Sequence, residues 1–427
     1  MKRFVHRGGN YNNTSNAGPR YSNANYRPSN PNAFRLVFID RQLHNLYGDY
    51  ASAFDKKSLI PSSIEENNNR WVRPVGFARP PYLTAYIMKT YNNLWNEIIS
   101  FENLLLAYRK AAKKKYYRRS VLSFSENLEE NLIQIQNELI WHEYVPSPAK
   151  KFIVYEPKER HITAPAFRDR VVQHALCSVI EPLIDRRFIY DSYACRIGKG
   201  NLAVVQRLQD LEKKAAAEYG AFYCYNGDIK SFFLSIPTTT LKTIIRKVIY
   251  DKNALWLIDL FLDSGELVGI IIGALLSQLS ANLYLDSLDH LVKDYLGYPY
   301  YVRYMDNFAI ITKTAKEAQA AGDTVIEFIG TMLGLEINHK SFVLKGSSGI
   351  NFCGFRVWPS HIKPLKPTFK RSVRRLKKKA KLYNEGKLSI IKFRQSLMSY
   401  LGHYKHCDAR RSIESALNKI VLIGGQK

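Results

Sequence analysis

Two aspartates carry the strongest chemical signal in the sequence. Asp228 ends an apolar run within YNGDIKSFF, and Asp306 ends another within YYVRYMDNFAII. Both runs are typical of short β-strands that present one acid at a turn or strand end. Two carboxylates brought together in this way can hold a pair of divalent ions about 3.5–4 Å apart, the spacing that in-line phosphoryl transfer uses. The pair therefore indicates a two-metal site that acts on phosphates.

Length and composition describe the scaffold that must position these acids. The 427 residues are 46% hydrophobic, which predicts two or three subdomains around a sizeable core. No apolar run approaches the roughly 18 residues of a membrane span, and the start MKRFVHRGGNYNN lacks the apolar centre of a signal peptide. The five cysteines form no CxxC pair, which argues against a disulfide framework or a zinc ribbon. We therefore expect a cytoplasmic location and no membrane partner.

The net charge of +26 is typical of a protein that binds a polyanion. The cations are clustered in RKAAKKKYYRR (109–119), where two tyrosines interleave with them, and in FKRSVRRLKKKAKLY (369–383), which has the pattern of a helix. The alternative is a basic, solvated surface without a nucleic-acid role. The clustering of the cations favours a protein that binds nucleic acid.

The chain changes character along its length. Residues 1–36 are rich in Asn and predict a disordered segment, and residues 37–91 form an extension of unclear structure. The pattern then becomes regular, and helical and strand-like segments alternate to about residue 362. One helix is predicted from apolar spacing at Leu128, Leu132, Ile135 and Leu139, with a capping box formed by Ser123 and Glu126.

Taken together, the motifs resemble those of a reverse transcriptase. The run with Asp228 is similar to the polymerase motif that carries a metal-binding aspartate, and the run with Asp306 is similar to the Tyr-x-Asp-Asp hairpin. The resemblance implies an α+β fold, that of a right-hand polymerase with fingers, a palm of antiparallel sheet plus helices, and a helical basic thumb. The implied ranges are N-terminal helices and fingers at 92–220, palm at 221–349, and primer grip and thumb at 350–427.

The resemblance also implies the catalytic machinery of an RNA-directed DNA polymerase. Asp228 and Asp306 would bind two Mg²⁺ ions, for which Mn²⁺ is a substitute, and Ile229 would lend its carbonyl oxygen to the metal. Lys340, in LGLEINHKSF, is the candidate that protonates the leaving pyrophosphate.

Asn307 departs from the family pattern, which has a second Asp at this position. The substitution removes a negative charge beside two cations, although an amide oxygen can still coordinate or hydrogen-bond. We expect activity to be retained, in a slower or metal-selective form. The alternative is a degenerate, inactive copy.

The segment FIVYEPKERHITAPAFRDRVVQHAL (152–176) predicts a strand, a tight turn, a second strand and a helix. This is similar to the fingers hairpin, so Lys158 and Arg160 would contact the incoming triphosphate, with Arg168 and Arg170 nearby. Several cations are needed because charge builds on the phosphate oxygens in the transition state. Arg196, in SYACRIGKGN, is a further nucleotide or template contact by resemblance. The alternative for the four cations of the hairpin and its following helix is that they are ordinary solvated charges.

Phe233 occupies the steric-gate position of the family, where a bulky ring crowds a 2′-hydroxyl and favours deoxynucleotides. The alternative is that Phe233 is an aromatic residue of the core.

Further on, INFCGFRVWPSHIKPL (350–365) resembles the primer-grip hairpin, with Gly354 at its turn. The basic helix after it would be the thumb, which lies along an RNA–DNA duplex through phosphate contacts. The thumb cations selected as nucleic-acid contacts are Lys370, Arg371, Arg374, Arg375 and Lys378.

A narrower resemblance is to the reverse transcriptases of diversity-generating retroelements. Ile272, Gly273, Ser277 and Gln278 fit an Ile-Gly-x-x-x-Ser-Gln pattern that marks this subfamily. By resemblance, Ile272, Gly273 and Gln278 are nucleotide-binding, and an apolar residue in place of the usual Gln goes with errors opposite template adenines. Ile271 stands where the subfamily has Pro, which weakens the inference about fidelity.

Residues 1–36 are similar to the closing segment of a variable protein that such retroelements diversify. We hypothesise that the reading frame runs through the template repeat and that Met88 is an alternative start. A disordered Asn-rich extension is the alternative.

The implied partners are template and spacer RNA, the RNA–cDNA duplex, dNTPs and an accessory variability determinant that forms a helical-bundle oligomer. Two other interpretations stay open. One is a different bacterial class, namely a retron, group II intron-like or phage-defence reverse transcriptase. The other is a catalytically impaired RNA-binding homologue in which Asn307 has ended catalysis.

Overall fold

The computed structural model describes residues 90–155, 159–263 and 268–423, except for the side chains of Arg160 and His161. All described residues belong to one compact unit. The predictions for residues 1–36, for almost all of 37–91 and for Lys158 lie outside the described residues.

The described chain begins with four helices that pack on one another. Their bounds are α1 Trp95–Ile99, α2 Phe101–Ala112, α3 Arg119–Glu126 and α4 Leu128–Ile140. The predicted apolar face of α4 is confirmed, because Leu132, Ile135 and Leu139 are fully buried. These side chains contribute to the larger of two apolar cores in the described chain.

The predicted capping box at the start of α4 is wrong. Ser123 and Glu126 both lie inside α3, and Asn127 precedes α4 without a side-chain cap. The aromatic ring of Phe124 explains the difference, because it packs against Phe167 with ring centroids 5.3 Å apart. This contact holds the SFSE segment in the helix before the turn instead of releasing it as a cap.

The predicted fingers hairpin and its following helix are confirmed. Strands β1 Lys150–Val154 and β2 Arg160–Ala164 pair antiparallel, with Phe152 opposite Ile162. Helix α5 then runs over Phe167–Asp185 and buries an apolar face in the first core. The hairpin itself is exposed on β1 along its whole length.

Four of the strands form an antiparallel sheet in the order β4-β5-β3-β6. Its strands are β3 Tyr223–Asp228, β4 Tyr301–Tyr304, β5 Asn307–Thr312 and β6 Phe342–Lys345. Side chains alternate between the two faces. Tyr225 and Phe308 contribute to the first core, whereas Cys224 and Ala309 contribute to the second. The sheet is therefore apolar on both faces.

Helices cover both faces of this sheet. Helix α12 packs against β3, β5 and β6, and α6 packs against β4 and β5. The helices between α5 and β6 are α6 Asn201–Tyr219, α7 Phe232–Ser235, α8 Thr238–Arg246, α9 Lys252–Asp263, α10 Leu275–Tyr284, α11 Asp286–His290 and α12 Ala315–Leu333.

The C-terminal part matches the predicted grip hairpin and basic helix. Strands β7 Ile350–Phe352, β8 Phe355–Val357 and β9 Ile362–Pro364 form a separate three-stranded antiparallel sheet. Cys353 and Gly354 make its first turn with positive φ angles of 47° and 87°. Three helices follow, α13 Lys366–Asn384, α14 Ile390–Tyr404 and α15 Arg410–Leu417. The predicted α+β class and the predicted order of elements are confirmed. No described helix is long and apolar enough to cross a membrane.

Candidate active site

The palm sheet brings the two predicted catalytic aspartates together. Asp228 is the last residue of β3 and lies opposite Asn307, the first residue of β5. Asp306 is in the tight turn between β4 and β5, where Met305 has a positive φ of 56°. The backbone N–H of Ile229 donates to the carbonyl oxygen of Asp306 at 3.0 Å. The two acids, 78 positions apart in the sequence, are therefore neighbours across one ladder of the sheet.

Asp228 is held by a loop that the sequence motifs did not implicate. The Asn338 amide Nδ2 donates to Asp228 Oδ2 at 2.8 Å, and the Asn338 backbone N–H donates to the Asp228 carbonyl oxygen at 2.7 Å. Ser341 Oγ accepts from the Asp228 backbone N–H at 3.0 Å. These bonds fix the orientation of the Asp228 carboxylate.

Asn307 contacts Asp306 directly. Its amide Nδ2 donates to Asp306 Oδ1 at 3.2 Å, and both residues are partly exposed. An aspartate at position 307 would place a second negative charge there, whereas the amide supplies a hydrogen-bond donor. The substitution therefore changes the charge of the turn and adds a contact that steadies the Asp306 carboxylate.

Gly227 allows the close approach of the two strands at the catalytic end of the sheet. A Cβ atom at this position would lie 2.2 Å from the Phe308 ring, which is fully buried. Any larger residue before Asp228 would push β5 away from β3. The requirement for glycine is thus steric, since the φ angle of Gly227 is not positive.

A buried charge network, missed by the sequence reasoning, lies behind the Asp306 turn. The Arg303 guanidinium makes a two-point contact with the Asp289 carboxylate, with Nε–Oδ1 and Nη2–Oδ2 distances of 2.7 Å each. Both side chains have no solvent exposure. A run of Arg and Tyr before the catalytic turn was visible in the sequence, but the position of its partner on α11 was not.

Phe233, one of the predicted nucleotide-binding residues, lies on α7. Phe233 is half-buried there and its carbonyl oxygen accepts from the Ile270 backbone N–H at 2.8 Å. This bond places the segment that carries Ile272 and Gly273 next to the predicted steric gate. Gly273 has a φ of 102° and open space around its Cα, and Gln278 follows in the first turns of α10. Contact of these residues with a nucleotide stays a prediction.

Arg196 is engaged within the protein. Its guanidinium pairs with Asp185 at 2.6 Å and donates to the carbonyl oxygens of Ile189 and Ser192 at 2.7 and 2.8 Å. The side chain is 9% exposed. These contacts show that Arg196 holds the loop after α5, so the nucleotide contact stays a prediction that requires this network to open.

The other fingers cations differ in their surroundings. Arg168 pairs with Glu138 and lies over the Tyr144 ring. Arg170 lies over the Phe167 ring, and its burial, together with the charge of Arg118, lowers its pKa below the usual range. Arg160 belongs to β2, but its side chain is outside the described residues.

Lys340 lies in the loop that holds Asp228, two positions after Asn338, and its side chain is exposed. Its backbone N–H donates to Asn338 Oδ1 at 3.2 Å. The structure thus places the candidate acid on the loop nearest the catalytic carboxylate. Transfer of a proton by Lys340 stays a prediction.

The thumb cations all lie on helix α13. Leu376 and Ala380 are its buried residues, and the helix packs against α14 through this side. Four of the five selected cations are exposed and Arg371 is half-buried. The exposed residues are Lys370, Arg374, Arg375 and Lys378. A positively charged surface on α13 is therefore confirmed, and its contact with a duplex stays a prediction.

Cys353 in the grip turn lies close to the catalytic turn. Burial, together with the negative charge of Asp306, raises the pKa of the Cys353 thiol to about 12. Burial also raises the pKa of Tyr304, with Cys353 and Cys195 contributing. The thiol is therefore neutral at physiological pH and adds no charge beside the two aspartates.

The two aspartates supply oxygen donors that fit a divalent metal ion. Mg²⁺ prefers oxygen ligands and is commonly held by one or two carboxylates, with water and phosphate oxygens completing the shell. Asp228 and Asp306 supply two carboxylates on one edge of the sheet. In the described ranges, no group of three or more His, Cys, Asp or Glu side chains is arranged so that it could hold a metal ion.

Comparison with known proteins agrees with this geometry. Residues 149–357 match the family model described as reverse transcriptase (RNA-dependent DNA polymerase). This stretch contains the fingers hairpin, the palm sheet and the grip turn. Residues 149–357 form a reverse transcriptase domain. The right-hand polymerase fold predicted from the sequence is thereby confirmed for this domain.

Curated relatives of the reverse transcriptase domain are distant. The chain is 27% identical to Protein YkfC of Escherichia coli, over 36% of this chain and 43% of that protein. It is also 27% identical to the group II intron-encoded protein LtrA of Lactococcus lactis, over 45% of this chain and 33% of that protein. The chain thus spans less than half of the length of these relatives. Among solved structures, telomerase from Candida albicans with a telomeric RNA fragment aligns over 66% of this chain, with a TM-score of 0.41 and 14% identity.

Proposed function

We propose that the protein is an RNA-directed DNA polymerase. The observation that carries the proposal is the placement of Asp228 and Asp306 at neighbouring strand ends of the palm sheet within a reverse transcriptase domain. Two carboxylates in this position are the minimal ligand pair for divalent ions in phosphoryl transfer. The substrates would be dNTPs and a primer 3′-hydroxyl on an RNA template.

In this proposal the catalytic residues bind metal ions, orient a metal ligand or donate a proton. Asp228, Asp306 and the carbonyl oxygen of Ile229 would hold two Mg²⁺ ions, or Mn²⁺ in their place. When bound, such ions neutralise charge on the phosphates and favour ionisation of the attacking hydroxyl. Asn307 orients the Asp306 carboxylate through its hydrogen bond. Lys340 donates a proton to the departing pyrophosphate.

The remaining site residues bind the substrates. Phe233 would exclude a 2′-hydroxyl, and Ile272, Gly273 and Gln278 would contact the nucleotide and the template base. The fingers cations Lys158, Arg160 and Arg196 would meet the triphosphate. The exposed cations of α13 would contact the phosphates of the RNA–DNA duplex, which would make binding strongly salt-dependent.

The finer proposal is a reverse transcriptase of a diversity-generating retroelement. The Ile-Gly-x-x-x-Ser-Gln sequence at 272–278 supports it, and its first two residues lie beside the predicted steric gate. It would copy template and spacer RNA into cDNA altered at adenines, together with a helical-bundle accessory protein. In this proposal, residues 1–36 correspond to the translated template repeat.

A second candidate is a group II intron-like reverse transcriptase. The similarity to the intron-encoded protein LtrA and to nuclear intron maturase 2 of Arabidopsis thaliana, at 31% identity over 26% of this chain, favours it. The two candidates predict different products. Sequenced cDNA with substitutions concentrated opposite template adenines supports the retroelement class. A low substitution frequency that is equal at all four template bases supports the intron class.

The general proposal is tested by primer extension with the purified chain, an annealed DNA primer and an RNA template. We expect dNTP-dependent products in Mg²⁺ or Mn²⁺ that are absent from Asp306→Asn. The same variant must bind the primer–template as the native chain does, which separates catalysis from RNA binding. Products that persist in Asp306→Asn would come from a contaminating enzyme and would remove the support for the proposal.

A further inference from the structure

We propose that Arg303 and Asp289 are positioning residues that hold the turn carrying Asp306 in its metal-binding shape. The inference rests on the polymerase function proposed above and names residues that the family motifs did not select. It follows from where each nitrogen of the Arg303 guanidinium is directed.

Two of the three guanidinium nitrogens bind one carboxylate. Nε and Nη2 of Arg303 each lie 2.7 Å from an oxygen of Asp289, and the Tyr301 hydroxyl donates to Asp289 Oδ1 at 2.7 Å. Asp289 and Arg303 are fully buried. A two-point contact of this kind fixes the plane of the guanidinium as well as its position.

The third nitrogen points at the catalytic turn. Arg303 Nη1 donates to the carbonyl oxygen of Met305 at 3.0 Å and to Asn282 Oδ1 at 3.3 Å. Met305 directly precedes Asp306 and adopts a left-handed φ of 56°, which is uncommon for a residue with a side chain. The bond therefore holds the peptide that joins Met305 to Asp306, and this peptide sets the direction of the Asp306 side chain.

The same residue anchors β4 to the loop before α6. The Arg303 backbone N–H donates to the Asp191 carbonyl oxygen at 2.9 Å, and the Tyr193 N–H donates to the Arg303 carbonyl oxygen at 3.0 Å. Ser192 Oγ accepts from Arg303 Nη2 at 3.0 Å. The catalytic turn is thus supported from a second side, through the backbone as well as the side chain.

Stability alone does not account for a buried ion pair here. Desolvation of two charges offsets much of their attraction, and well-packed apolar residues of similar volume often replace such pairs without loss of stability. What apolar residues cannot replace is the donor to the Met305 carbonyl oxygen. The pair therefore acts on Asp306 by orienting its turn, and touches no substrate itself.

The test separates positioning from folding. Arg303→Met combined with Asp289→Leu removes both charges and keeps the volume, so we expect a folded protein. Its thermal stability should be somewhat lower, because the Tyr301 hydroxyl and the Met305 carbonyl oxygen lose their partners. The probe is Mn²⁺ alone, whose free concentration is followed by electron paramagnetic resonance. Removing support of this kind from a metal ligand typically weakens metal binding by about tenfold or more, and we expect that loss here. Arg246→Met, which removes a surface Arg–Asp pair, is the matched control and should bind Mn²⁺ normally.

Arg303→Lys covers the case in which the double variant fails to fold. A lysine keeps the charge opposite Asp289, but it cannot bind the carboxylate at two points and also donate to Met305. We expect a folded protein with the same loss of Mn²⁺ affinity, a higher Mg²⁺ midpoint in primer extension and an unchanged affinity for primer–template. Native Mn²⁺ affinity in a folded double variant would overturn the inference. If the double variant does not fold, native Mn²⁺ affinity in a folded Arg303→Lys would overturn it instead.

Failure of the inference and failure of the proposed function give different results. A native chain that extends no primer, but whose Mn²⁺ binding is weakened by both Asp306→Asn and Arg303→Lys, would refute the polymerase and support the positioning role. Mn²⁺ binding that does not depend on Asp306 would overturn the positioning role, whether or not primers are extended.

Discussion

Asp228 lies directly opposite Asn307 in the antiparallel pairing of β3 and β5. This register puts the Asp306 turn beside the end of β3, and the Ile229 N–H closes the contact on the Asp306 carbonyl oxygen. Two carboxylates and one amide therefore share one edge of the palm. Asn307 stands where a second aspartate is usual in the family, and its amide donates a hydrogen bond to Asp306.

Asn338 orients the Asp228 carboxylate, so Asn338→Ala should impair catalysis more than binding. We expect kcat to fall by about tenfold or more, as is typical when the support of a metal ligand is removed, with little change in primer–template affinity. Single-turnover nucleotide addition measures the effect. His339→Ala, an exposed neighbour in the same loop, is the control. A native kcat in Asn338→Ala would show that Asp228 does not need this bond.

Gly227→Ala should destabilise the palm, because the new Cβ would lie 2.2 Å from the Phe308 ring. Overpacking of a core typically costs about 1–3 kcal/mol, which urea unfolding can measure. Adding Phe308→Leu should recover part of the loss. Gly330→Ala in α12 is the matched control, since its Cβ would meet nothing within 4 Å and alanine favours a helix. Equal effects of the two alanines would refute the steric explanation.

Glu212 should make stability fall as the pH rises. Burial raises the pKa of its carboxyl to about 9, and within the described residues neither oxygen has a hydrogen-bond partner. The folded pKa lies above the unfolded value, so the stabilising contribution is complete below about pH 4.5 and is lost progressively toward pH 9. The loss is on the order of 1 kcal/mol for each pH unit between the two pKa values.

Glu212→Gln removes this titration. In denaturant titrations, we expect the free energy of unfolding of Glu212→Gln minus that of the native chain to increase steadily from pH 5 to pH 9. Gln206→Ala, at an exposed position of the same helix, changes no titratable group and should show no such trend. Parallel pH profiles for the native chain and Glu212→Gln would mean that the buried carboxyl keeps its usual pKa.

Phe233→Ala should weaken discrimination against ribonucleotides. The ring is half-buried beside the segment that carries Ile272 and Gly273, so its removal opens space without unfolding the core. We expect the ratio of kcat/KM for a dNTP to that for the matching rNTP to fall by about tenfold or more. Leu234→Ala, exposed on the same helix, is the control. An unchanged ratio would identify Phe233 as a packing residue.

The sequence was sufficient for features that depend on local pattern. The strands that end at Asp228 and near Asp306, the fingers hairpin and the basic thumb helix all follow from alternation, turn residues and charge within short segments. Contacts between distant segments were not predictable in this way. Asn338 binds Asp228 from 110 positions away, and Asp289 on α11 pairs with Arg303 on β4, 14 positions further on. The network that joins Arg196 to Asp185 could likewise not be predicted from the sequence, and the nucleotide contact of Arg196 stays a prediction.

The central claim is that Asp228 and Asp306 form a working catalytic pair although Asn307 replaces the usual second acid. The most direct measurement is single-nucleotide primer extension on RNA, in a series of Mg²⁺ and Mn²⁺ concentrations, for the native chain, Asn307→Asp and Asp228→Asn. We predict extension by the native chain, none above background by Asp228→Asn, and a lower Mg²⁺ requirement for Asn307→Asp, because a third carboxylate strengthens the attraction for the metal. A native chain that is silent while Asn307→Asp extends the primer would contradict the claim and identify a decayed enzyme.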